Sequence, residues 1–272
     1  MTFKSFFLFF SLLLALLYFN KSKAQINIMG KPGYMITPSA DWLEGQPLGF
    51  TFSYIPSEYS KNILFTPRIT TENTPLNFYN VRATLTSFFE VNLSIAYRPE
   101  INNKIGVGDR QLDFRFRLLK EKEFWPSIVL GWTPPGSDSP VLAHDYLVAT
   151  KHLNTTFGNF STSLGYGSPY VFSKKRTGKF LDLKVQKKNE LYGEQYLSGF
   201  YGAFSYMPVN FAGIMVEYDT QTMNAGAFIK VKDWLYLQAY TFEGKEIAFT
   251  TSLNFSLNFA PHTLRRYEKK LD

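Results

Sequence analysis

Arg82, Glu90, Arg98, Asp113, Arg115, Arg117 and Glu217 are charges set into runs of apolar residues, each falling in the polar phase of a two-residue alternation. Guanidinium forks gathered on one face read carboxylate or phosphate groups, the chemistry of a track for an acidic polymer. Carboxylates and guanidiniums enclosed in a narrow space also pair with one another and simply interlock. The residue types support both readings, and both stay open at this point.

Other chemistry is sparse. The histidines are His144, His152 and His262, on separate segments, without His-x-x-x-His spacing and without any Cys, so no metal pattern forms. Each reads as a satisfied or exposed loop residue. No Gly-x-Ser-x-Gly turn marks a hydrolase nucleophile, although Ser and Asp abound. The expectation is a chain with no catalytic residue, no metal ligand and no cofactor.

The elements that must position the charges are strands. Phe89, Val91, Leu93, Ile95 and Tyr97 take one face, while Glu90, Asn92, Ser94, Ala96 and Arg98 take the other. Leu112, Phe114, Phe116 and Leu118 oppose Asp113, Arg115 and Arg117, and Val81, Ala83 and Leu85 oppose Arg82, Thr84 and Thr86. The alternation from Ile247 to Phe259 holds for 13 residues, longer than a usual soluble strand and enough to cross a bilayer when tilted. A soluble antiparallel sheet alternates in the same way, so length, aromatic load and strand number have to decide. Aromatic residues make up 18% of the chain, with 27 Phe and 17 Tyr, and aromatics both favour strands and form the interfacial girdles of barrels.

About twelve such runs are centred near Phe52, Ala83, Leu93, Phe116, Val129, Val148, Thr162, Phe204, Met215, Phe228, Leu237 and Phe255. Connections at 58–76, 99–111, 133–143 and 167–199 are long, whereas those near Phe88, Glu121, Met207 and Asp233 are mostly short. The rhythm weakens toward the C-terminus, where turns at Thr220 and Gly244 are short too. An even count with alternating long and short connections predicts an all-β, antiparallel transmembrane barrel of outer-membrane type.

Lys4, an apolar run from Phe6 to Phe19, and Ser22-Lys23-Ala24 ahead of Gln25 read as a secretory signal peptide cut between Ala24 and Gln25. The run is too short for a membrane helix. The expected divisions are residues 1–24 as leader, 25–46 as an irregular Pro- and Gly-rich lead-in or lumen segment, 47–260 as barrel, and 261–272 as a charged tail. Without Lys4, Lys21 and Lys23 the 29 basic residues fall to 26 against 22 acidic, a net charge of +4. That charge is dispersed along strands and gives no argument for nucleic acid. Lacking Cys, the chain forms no disulfide and carries no cysteine-linked lipid.

Gly33-Tyr34-Met35-Ile36-Thr37-Pro38-Ser39-Ala40, followed by a strand, resembles the opening of the YjbH family of exopolysaccharide-biosynthesis outer-membrane proteins. Gly108-Asp109-Arg110-Gln111-Leu112-Asp113-Phe114-Arg115-Phe116-Arg117-Leu118-Leu119 is similar to that family's Gly-Asp-Arg strand. Trp125-Pro126-Ser127 and Asp145-Tyr146-Leu147-Val148-Ala149-Thr150-Lys151 follow in the family order. The resemblance spans roughly residues 30 to 260. It implies a barrel in the outer membrane that serves production or export of a surface polysaccharide. Together with the reading of the residues, the expectation is a non-catalytic barrel supporting exopolysaccharide or capsule biosynthesis, assembly or export, with outer-membrane lipid, acidic polysaccharide and other export proteins as partners. The chain departs from the family in being much shorter than its long members, which implies a single barrel, and in ending at Leu271-Asp272 instead of an aromatic. A structural or adhesive surface barrel is the alternative.

In that setting two further segments are candidates. Gly106-Val107-Gly108-Asp109-Arg110 lacks the helix and the Gly-Lys-Ser/Thr of a phosphate loop, so it reads as a turn with an ion pair, or as Asp109 and Arg110 touching glycan at the barrel mouth. Lys174, Lys175, Arg176, Lys179, Lys184, Lys187 and Lys188 crowd the longest connection. They read as a solvated loop, or as a contact for lipid phosphate or acidic glycan.

Overall fold

A computed structural model describes residues 25–63, 74–101, 108–136, 142–174, 183–188, 197–232 and 234–256. Period-two alternation folds into one closed antiparallel barrel of twelve strands. The strands are β1 (Leu48–Ile55), β2 (Leu76–Thr84), β3 (Phe89–Tyr97), β4 (Asp109–Leu119), β5 (Ser127–Trp132), β6 (Tyr146–Thr155) and β7 (Gly158–Gly167), then β10 (Gly199–Val209), β11 (Ala212–Tyr218), β12 (Met223–Val231), β13 (Leu235–Phe242) and β14 (Glu246–Phe255). The intervening β8 (Tyr170–Lys174) and β9 (Leu183–Lys187) form a separate two-stranded hairpin. The expectation of about twelve barrel strands is met, and each expected centre lies within a barrel strand. The hairpin was not foreseen.

The ring shuts where β1 pairs with β14, from Leu48↔Phe255 to Tyr54↔Phe249. Closure leaves no sheet edge and satisfies the ladder without water, the condition for strands to cross a bilayer. On β14, Ala248, Thr250, Ser252 and Asn254 are buried inside while Ile247, Phe249, Leu253 and Phe255 are exposed outside. Outer aromatics pack across strands, as in Phe52 with Tyr79 at 5.3 Å and Phe114 with Trp132 at 5.8 Å between ring centres. Inner hydroxyls bond across strands instead: Thr51 donates to Ser252 at 2.8 Å and Thr250 to Ser53 at 2.9 Å.

The connections 85–88, 120–126, 156–157, 210–211 and 232–234 are short and share one end of the barrel, the turn end, with the start of β1 and the close of β14. The turns 219–222 and 243–245, and helix α1 (Ser57–Ile63), lie at the opposite loop end. There Tyr59 stacks on Phe242 at 3.7 Å and its hydroxyl donates to Thr222. Among the described residues no helix is long and apolar enough to cross a membrane.

Residues 25–46 lie inside the barrel. The segment first folds on itself: Asn27 N–H donates to Lys31 O at 2.8 Å, Ile28 N–H to Met35 O at 2.9 Å and Tyr34 N–H to Thr37 O at 2.9 Å. Gly30 makes the bend possible. Its φ is +73°, and a Cβ there would lie 2.5 Å from Asn80 Cβ on the wall. Gly30→Ala should therefore destabilise the packed segment by about 2 kcal/mol or more, from left-handed strain and overpacking together. A lower urea midpoint of the detergent-solubilised barrel is the expected reading, and an unchanged midpoint would count against this packing.

Candidate functional site

The inward charges are joined into networks. Arg115 Nη1 lies 2.5 Å from Glu90 Oε1, and Arg82 Nη1 lies 3.1 Å from Glu90 Oε2. Arg82 Nη2 also donates to Gln46 O at 3.2 Å and to Asn254 Oδ1 at 2.9 Å, while Arg115 Nη2 donates to Ser39 O at 2.8 Å and Asp41 O at 3.1 Å. At the loop end Arg98 donates to Thr74 O at 2.7 Å. Alternation alone puts these groups indoors, and a carboxylate or carbonyl then meets each guanidinium.

The inner segment is a plug bonded to the wall. Wall amides reach its carbonyls, Asn80 to Ile28 at 3.0 Å and Asn92 to Met29 at 2.9 Å. Tyr34 Oη lies 3.0 Å from both Ser161 and Ser163 hydroxyls. Glu217 accepts from the N–H groups of Met35 at 3.0 Å, Ile36 at 2.8 Å and Thr37 at 3.1 Å, and from the Thr37 hydroxyl at 2.8 Å. These successive donors form a nest around one carboxylate.

Lys31 is the plug's buried cation. Its ammonium donates to Asp113 at 2.7 Å and stands 2.9 Å from His144 Nε2. Burial and the neighbouring Lys31 push the His144 pKa down to about 3, so the ring is neutral at ordinary pH. Its Nδ1–H is then the donor to Leu142 O at 3.1 Å, and Nε2 is free to accept from Lys31. Lys188 is buried near Asp145 and Asp113, and burial pushes it down to about 8.

Below the plug, at the turn end, opens a cavity of about 1110 Å³. It is lined by Asp41, Trp42 and Glu44 of the plug and by Arg117, Lys120, Glu121, Lys151 and His152 of the barrel, with Trp234 and Lys232 among its other lining residues. His152 Nδ1 lies 2.6 Å from Glu121 and Nε2 lies 3.1 Å from Asp41. Burial raises the Asp41 pKa, but His152 outweighs it and the net direction is down. Glu44 Oε1 lies 3.1 Å from Arg117 Nη1 and 2.8 Å from Lys120 Nζ. Arg117 sits 4.9 Å from the Trp42 ring centre and Arg115 5.5 Å, within cation–π range.

Of the residues expected from sequence, Arg82, Glu90, Arg98, Asp113, Arg115 and Glu217 are buried inside, and Arg117 lines the turn-end cavity. Asp109 shares the inward face with its partner Ala96. Arg110 does not. It is exposed on the outer face opposite Ile95, because a strand cannot turn adjacent residues the same way, so Asp109 and Arg110, expected side by side at the barrel mouth, point to opposite faces of the wall. Lys184 and Lys187 are exposed on β9. Lys188 is buried instead of lying in a solvated basic loop, since the chain returns to the mouth there and the barrel's carboxylates draw its ammonium in. Lys175, Arg176 and Lys179, the side chain of Lys174, Ala24 with the leader, His262 and the charged tail lie outside the described residues, and Gln25 is the first described residue. His144 and His152, expected as satisfied or exposed loop residues, are both hydrogen-bonded in polar clusters, His144 in the connection before β6 and His152 on β6 itself.

Sequence reasoning also missed Lys31 and Trp42. A signal for Lys31 was present, because it is the lone charge between Gln25 and Asp41. No curated protein matches this chain significantly. A family model described as "Exopolysaccharide biosynthesis protein YbjH" matches residues 25–271, a span that takes in the plug, the wall and the cavity. The chain belongs to the YjbH exopolysaccharide biosynthesis family.

Proposed function

We propose that this chain is a non-catalytic outer-membrane barrel that serves assembly or export of a surface polysaccharide, with its own N-terminal segment as the plug. The observation that supports the reading best is the two-faced wall: exposed Phe, Leu, Val and Tyr outside, and a buried polar inside bonded to residues 25–46. Tilted strands of this length make an apolar band on the order of 25 Å tall, the height of an outer-membrane hydrocarbon layer. Short turns then face the periplasm and the long connections face outward. The partners are outer-membrane lipid, an acidic polysaccharide and the proteins that deliver it.

The protein should fractionate with the outer membrane and migrate differently on a gel before and after boiling. Recovery as a soluble periplasmic protein without detergent would overturn the membrane reading. Deleting the gene should reduce surface polysaccharide. The second reading, a structural or adhesive barrel without transport, is favoured by the plug itself, which occupies the lumen. Unchanged polysaccharide with lost attachment would select it.

A further inference from the structure

The turn-end cavity contains an occupied carboxylate site. Arg117 Nη1 and Lys120 Nζ converge on one oxygen of Glu44, at 3.1 Å and 2.8 Å, and Glu44 belongs to the plug and not to the wall. The Glu44 side chain is 57% exposed and that of Lys120 65%, while that of Arg117 is 11% exposed, so an anion entering the cavity meets the fork from its Glu44 and Lys120 side. Exposed ion pairs are weak, which makes exchange of Glu44 for such an anion cheap. Trp42, whose ring lies against Arg117, lines the same cavity, and so does Trp234 with an exposed ring, the amphipathic surface on which a pyranose ring rests. The volume of about 1110 Å³ is large enough for several sugar residues.

From this we propose that the cavity binds a carboxylate-bearing oligosaccharide, and that Glu44 is a stand-in ligand which a uronate displaces. The choice of a glycan rests on the polysaccharide reading above; the choice of a carboxylate rests on the Glu44 geometry alone. Displacement has a mechanical outcome. Glu44 is tied by sequence to Asp41 and Trp42, whose neighbours Arg115 and Arg117 also hold the wall, so freeing Glu44 loosens the turn-end foot of the plug. Ligand binding and plug mobility are thereby coupled at one point.

The test uses the whole processed chain in detergent micelles, titrated calorimetrically with hexagalacturonate and, separately, with neutral maltohexaose. Wild type should bind the uronate and bind the neutral hexamer far more weakly. Glu44→Gln, which removes the competing carboxylate without emptying a core position, should bind the uronate about two- to fivefold tighter, the range expected for loss of an exposed ion pair. Arg117→Gln with Lys120→Gln should lose most binding while keeping the heat-shifted gel mobility of a closed barrel. Because the chain has no Cys, a single Leu43→Cys reports the plug directly: uronate should speed its maleimide labelling. Equal or weaker uronate binding by Glu44→Gln, or equal binding of the neutral hexamer, overturns the proposal. Should binding behave as stated while gene deletion leaves surface polysaccharide unchanged, the cavity assignment stands and the polysaccharide function falls.

Discussion

Glu217→Ala should turn a quiet barrel into one that conducts. The Glu217 carboxylate accepts three main-chain N–H groups and one hydroxyl of the plug, at 2.8 to 3.1 Å. Alanine removes all four acceptances at once and supplies no water in a buried position. Each buried donor left unmatched costs about 1–3 kcal/mol, and although such costs do not add fully, the plug should lose on the order of 3 kcal/mol or more of anchorage. In planar bilayers the variant should open often where wild type stays closed, and a cysteine placed at Ile36 should label rapidly. Glu217→Gln keeps one acceptor oxygen and should fall between the two. If Glu217→Ala conducts and labels like wild type, the carboxylate does not hold the plug.

The Lys31 and Asp113 pair should show a second large effect, of a different form. Lys31→Met leaves the Asp113 carboxylate buried, with Gln111 at 3.1 Å and Thr133 at 2.9 Å as its hydrogen-bond donors among the described residues. Breaking a buried pair from one side costs about 3–5 kcal/mol, whereas replacing both partners with apolar groups is often neutral. Lys31→Met should therefore lower the urea midpoint strongly, and Lys31→Met with Asp113→Leu should recover most of the loss. His144 makes the cycle sharper. Kept neutral, it accepts from Lys31, and in the double variant it packs against methionine without a charge to solvate. Additive losses in the double variant would show that the two groups do not act as a pair.

The wall was legible in the sequence for a simple reason. Alternation is local, so Glu90, Asp113 and Arg115 announce their face by counting from Phe89 and Phe114. The same count placed Arg110 with Leu112 and Phe114 on the outer face, and the motif around it obscured that. The plug was far less legible, because residues 25–46 follow no period; their Pro and Gly content signals irregular backbone but not what encloses it. Its partners lie up to 182 residues away, in the pairing of Met35 with Glu217, and no spacing rule spans such a separation. The β8–β9 hairpin escaped because its strands are five residues each and lie in a connection crowded with lysines, the texture of a solvated loop. The family resemblance carried what periodicity could not, the expectation of an exopolysaccharide biosynthesis protein.

Arg82 has a consequence for how the molecule is made. It stands on β2, yet it passes beneath β1 at Gly49 to reach Asn254 on the last strand, and the same guanidinium holds the Gln46 carbonyl where the plug becomes the wall. A hoop joined one residue out of step would send Asn254 outward and cost that guanidinium its partner on the last strand. Closing the seam in the correct frame thus completes the shell of a side chain that joins the first strand's neighbour, the last strand and the end of the plug, and a misjoined seam would be felt first at Gln46.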